Sequence, residues 1–76
     1  MSREETAIEV LVDIALDANR MVAERQRAID ALTLFREAAL KGLERIERTT
    51  DLGVLKERAR LYVQRIKDGA VTSMNI

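Results

Sequence analysis

The sequence predicts an all-α fold: a long helix and a shorter antiparallel one, a helical hairpin that assembles as a dimeric helical bundle. Three observations predict it. Apolar residues recur at alternating steps of three and four, the spacing of one helix face. The 76 residues include no Pro and only three Gly, so few positions interrupt a helix. Aromatic residues make up 3% of a chain that is 47% hydrophobic, and a core of Leu, Ile, Val and Ala suits closely packed helices better than sheets.

The first helix begins at Ser2, which with Glu5 has the form of a capping box: hydroxyl and carboxylate each satisfy an otherwise orphan backbone amide. Beyond it the seam runs through Ile8, Leu11, Ala15, Ala18, Val22, Ile29, Leu32, Ala39, Leu43 and Ile46. Arg25 and Arg36 occupy the two remaining register positions, and their stems are expected to lie along the seam edge with the charged heads in water. Gly42 costs an interior helix only about 1 kcal/mol, and Leu43 and Ile46 hold the register past it. A helix over 3–48 follows. Because helices of that length are uncommon, a kink near residues 24–27, giving a three-helix bundle, is the alternative.

Thr49, Thr50 and Asp51 are three consecutive good N-cap residues and the clearest break. A second seam, Leu52, Leu55, Ala59, Tyr62 and Ile66, predicts a helix over 52–68. Gly69 closes it as a left-handed C-cap, with Lys67 favourably placed against the helix dipole. Residues 1–69 thus read as one hairpin domain. Residues 70–76 read as a C-terminal tail, either a frayed end or a strand offered to a partner's sheet through Val71, Met74 and Ile76.

A second chain enters through a mismatch of lengths. At about 1.5 Å per residue the first helix would run roughly 69 Å and the second roughly 26 Å, so the hairpin covers only the later part of the first. The uncovered stretch AIEVLVDIALDANRMVA, residues 7–23, is apolar at twelve of seventeen positions. A helix apolar around most of its girth needs several neighbours. A second apolar row, Ala31, Leu34, Phe35, Ala38 and Gly42, adds another face to cover. The simplest arrangement is an antiparallel homodimer, or a larger assembly, burying Ile8, Leu11, Ile14, Ala18, Val22, Leu34, Phe35 and Ala38 between chains. Residues 1–30 carry seven acids and four bases, and residues 31–76 six acids and nine bases. The acidic ridge Glu9, Asp13 and Asp17 is therefore expected to face the basic second helix.

Chemistry is harder to find. There is no Cys and no His, which removes disulfides, the usual zinc spacings and the Glu-x-x-His pairing of helical di-iron sites. No cofactor or metal is expected, and Glu9/Asp13/Asp17 and Glu44/Glu47 read as solvated or ion-paired carboxylates. The hydroxyls of Ser2, Ser73, Tyr62 and the threonines have no neutral-pH base beside them, so no enzyme is expected. Apolar runs never exceed three residues, which excludes a transmembrane helix, and the acidic opening MSREE is unlike a secretory leader; a cytoplasmic location is the expectation.

The functional expectation is a non-enzymatic helical protein–protein interaction module, a small adaptor, regulator, inhibitor or assembly subunit. It would pair with itself and with a protein partner whose identity the residues do not encode. The alternative is a nucleic-acid-associated regulator contacting phosphates through Arg45, Arg48, Lys56, Arg58, Arg60 and Arg65, since Arg outnumbers Lys ten to three. Acids interleave with those bases and Tyr62 lies on the apolar seam, so the alternative is the weaker one.

Overall fold

The first helix stops at Leu16, far short of residue 48. In the computed structural model, which describes residues 2–69, the order is α1 (Arg3–Leu16), α2 (Val22–Leu32), a 3-10 segment (Thr33–Ala39), α3 (Leu40–Thr49) and α4 (Gly53–Lys67). The described residues are all helix and turn, so the all-α class holds. The continuous helix over 3–48 does not. Nor does the chain kink at 24–27, which lies inside unbroken α2. The tail over 70–76 falls outside the described residues.

Both unexpected bends are built without Pro or Gly. At the first, the Asp17 carboxylate accepts the Asn19 amide at 2.9 Å, and the Asp17 carbonyl accepts the Arg20 amide at 3.0 Å. Asp and Asn side chains offer the backbone this alternative to helical pairing. Met21 is extended, and Glu24 reaches back to accept its amide at 3.3 Å, restarting the helix three residues on. At the second bend, the Thr33 hydroxyl donates to the Asp30 carbonyl at 2.6 Å, and Arg36 adopts φ 51°, ψ −130°. That is a conformation glycine adopts readily and a side chain does not.

The bends bring the chain back on itself. α1 packs against α2 and α3, α3 against α4, and α2 against α4. Val12, Ala15, Ala28, Ile29, Leu32, Ala39, Leu43, Ile46, Leu55, Ala59, Val63 and Ile66 form one buried core. Ile8, Leu11 and Ile14 rest against it half-buried. The opening helix therefore finds its neighbours within its own chain, and the length mismatch that required a second chain disappears. Gly42 sits inside α3, as its register implied, and lets α1 approach: a Cβ there would stand 2.8 Å from Val12 Cγ2.

The outer helix ends fall close to where the sequence places them, although α4 is entered through Leu52 with no side-chain cap rather than through Thr49, Thr50 or Asp51. Ser2 Oγ accepts the Glu5 amide at 3.1 Å and α1 begins at Arg3. α3 ends at Thr49, a three-residue turn follows, and α4 runs to Lys67 before Gly69 turns left-handed at φ 76°.

Candidate interaction surface

The most constrained polar group is one that the sequence places at a seam edge in water. Arg25 is instead 2% exposed. Its Nε donates to the Ala15 carbonyl at 2.8 Å and its Nη2 to Asp51 Oδ1 at 2.9 Å. The first bond supplies what α1 lacks, a cation at a C-terminal turn that has none of its own. The second reaches the turn between α3 and α4. One guanidinium thus ties together the end of α1, the start of α2 and that turn. The hydrogen bond from Arg25 holds the Asp51 carboxyl below its ordinary value of 3.8, assisted by a backbone hydrogen bond. The sequence signal was present: an Arg at a core register position between apolar neighbours.

A second polar cluster joins α2 to α4. The Tyr62 hydroxyl donates to Asp30 Oδ1 at 2.7 Å, and Arg58 Nε stands 3.2 Å from the same oxygen, off the line of a hydrogen bond. Burial, then the bond to Asp30, raises the phenol above its ordinary 10.0.

Grooves run between neighbouring helices on the surface, one of them between α1 and α2 with Leu11, Ile14, Ala28, Arg20, Glu24 and Arg27 around it. Between α3 and α4, facing charges close across the groove: Arg60 to Glu47 at 3.4 Å and Lys67 to Glu44 at 3.4 Å. Between α1 and α3 lies a groove of about 390 Å³ with Ile8, Val12 and Gly42 at its floor. Glu9 and Asp13 stand on its α1 side, Lys41 and Arg45 on its α3 side. These four side chains are exposed, and none of them makes an ion pair among the described residues. The acidic ridge therefore faces α3 rather than the basic last helix; its third member, Asp17, pairs with Arg20 at 3.5 Å.

The apolar residues expected between chains separate into two sets. Ile8, Leu11, Ile14 and Phe35 pack against the core of their own chain. Ala18, Val22, Leu34 and Ala38 are exposed, Leu34 most of all at 81%. Met21, at the first bend, is 72% exposed. The six bases singled out for phosphate occupy different faces. Arg45 lines the α1–α3 groove, Arg58 turns to Asp30 on α2, and Arg60 pairs with Glu47 and Glu57. Arg48 is exposed, and Lys56 and Arg65 are half-buried. No group of three or more acidic residues capable of holding a metal occurs among the described residues, and no described helix is long and apolar enough to cross a membrane. No protein-family model, curated protein or solved structure matches the chain.

Proposed function

We propose that this chain is a non-enzymatic helical interaction module, a small adaptor, regulator or assembly subunit, that works as a homo-oligomer. The observation that carries the reading is the apolar surface at its two bends: Leu34 at 81% exposure and Met21 at 72%, next to the half-exposed Val22. Single exposed apolar residues are ordinary. Here the most exposed ones sit where the backbone leaves its regular course, and Leu34 directly precedes Phe35, which turns inward against the core. Apolar side chains held out at fixed bends are suited to helix-on-protein contact. A net charge of zero supports self-association, because copies approach without overall repulsion.

Sedimentation equilibrium from low to high micromolar concentration tests the reading. The expected outcome is a mass above one chain that rises with concentration while helicity stays constant. A mass of one folded chain across the whole range overturns the homo-oligomer.

A further inference from the structure

We infer that the α1–α3 groove is the face on which a second copy of this chain docks, with the two-fold axis lying along the groove. The inference rests on the self-association proposed above and assigns it a surface.

The α1–α3 groove contrasts with the groove between α3 and α4. In the α3–α4 groove, acids and bases find each other across the gap within one chain. In the α1–α3 groove the same opposition is built and left open. Glu9 and Asp13 are four residues apart on α1, and Lys41 and Arg45 are four apart on α3. Both rows therefore advance by about 6 Å per step along their helices. Gly42 lets the helices meet closely at the floor, where a Cβ would strike Val12, while the charged walls stand apart above it.

An acidic row beside a matching basic row is complementary to itself under one rotation. A two-fold axis along the groove exchanges the two sides, setting the partner's basic row over the acidic row and the acidic row over the basic one. The axis across the groove instead stacks acid on acid and base on base. Isologous interfaces admit only such two-fold choices, and like charges placed opposite each other are penalised, so the charges select one axis and one register. The half-buried Ile8 supplies the apolar contact at the floor, Val12 being already buried in its own core, and the exposed ion pairs set orientation more than strength. The chemistry that this face recognises is its own.

Two charge-reversal variants test the assignment: Glu9→Lys with Asp13→Lys, which makes the face wholly basic, and Lys41→Glu with Arg45→Glu, which makes it wholly acidic. All four positions are exposed, and circular dichroism checks that each variant stays folded. Each alone is expected to dissociate more than about tenfold more readily than the parent chain, and an equimolar mixture is expected to recover the two-chain mass. Folded variants that each keep the parent's mass overturn the assignment but leave self-association standing. Two dissociated variants that fail to recombine overturn the proposed axis. A parent of one-chain mass overturns self-association itself and the assignment with it. If a reversal variant unfolds, Glu9→Gln with Asp13→Asn takes its place; an undiminished parent-like association in that neutral variant also overturns the assignment.

Discussion

Arg25 is the residue whose replacement the fold should tolerate least. Removing its side chain leaves the Ala15 carbonyl, on a fully buried residue, without its partner. An unsatisfied buried acceptor costs about 1–3 kcal/mol. The two stem methylenes that alanine lacks, Cγ and Cδ, buried with the rest of the side chain, add about 0.8 kcal/mol each. Arg25→Ala is therefore expected to lose about 3–5 kcal/mol, against a total of about 4–11 kcal/mol for a chain of this length. Arg25→Met keeps most of the volume and surrenders the bonds to the Ala15 carbonyl and to Asp51; the exposed Asp51 carboxylate returns to water, so the loss is set by the buried carbonyl, about 1–3 kcal/mol. Urea unfolding followed at 222 nm reads both as midpoint shifts with an unchanged slope. An Arg25→Ala loss below about 1 kcal/mol would refute the reasoning, because it would mean that the carbonyl and stem are satisfied by water.

The same tie has a pH signature. The folded Asp51 carboxyl titrates below the 3.8 of the unfolded chain. Its contribution is therefore complete above that value and is lost as pH falls through the lowered folded one. Asp51→Asn should flatten this part of the acid limb and leave neutral behaviour of the remaining carboxylates alone. An identical acid limb in the variant would show that Arg25 does not hold Asp51 in solution.

Three further outcomes are expected. Gly42→Ala gains about 1 kcal/mol of helix propensity but drives a Cβ to 2.8 Å from a stiff, buried valine, an overpacking cost of about 1–3 kcal/mol. A net loss that Val12→Ala partly relieves in a double-mutant cycle supports the close approach; purely additive effects would contradict it. Arg36→Gly should raise the urea midpoint, because strain of about 1–3 kcal/mol at φ 51° exceeds the roughly 0.5–1 kcal/mol entropic cost of glycine; a lowered midpoint would place Arg36 in ordinary backbone. Tyr62 is the only Tyr and there is no Trp, so ultraviolet absorbance reports its phenolate cleanly. The raised folded value means that its contribution is complete below pH 10.0 and disappears as pH rises through the folded pKa. Asp30→Asn should lower that midpoint, and an unmoved midpoint would break the Tyr62–Asp30 bond as an explanation.

What the sequence made legible were the faces and the ends. Ile29, Leu32, Ala39, Leu43 and Ile46 lie on the predicted seam and are buried, as are Leu55, Ala59 and Ile66 on the second. Ser2 and Gly69 cap where their chemistry says they should. The bends were not legible, because a three-and-four spacing reports which side of a turn is apolar and says nothing about the direction of the helix axis. At 17–21 the competing element is a local carboxylate–amide bond; the larger gain is the burial of α1 on α2 and α3, which no local window contains. At 33–39 the positive φ falls on an Arg, so the usual glycine signal is missing. The same blindness hid the groove. Glu9/Asp13 and Lys41/Arg45 are each visible as rows on a helix, but only the bends bring one row beside the other.

The bends also change the kind of association to expect. A straight opening helix would have to be covered by a partner, and its assembly would be obligate, with no stable folded chain alone. Folded back, α1 buries Val12 and Ala15 and rests Ile8, Leu11 and Ile14 on its own core, leaving Val10 as its one largely exposed aliphatic at 51%. Folding and association then separate. On the proposed assembly, copies would meet as folded units through a charge-matched face with exposed rims, and that contact would weaken as salt screens it while helicity persists. An obligate bundle would do the opposite, losing helix content in step with mass on dilution. Following both signals through one dilution series therefore distinguishes an assembly that creates this fold from one that uses a fold already made.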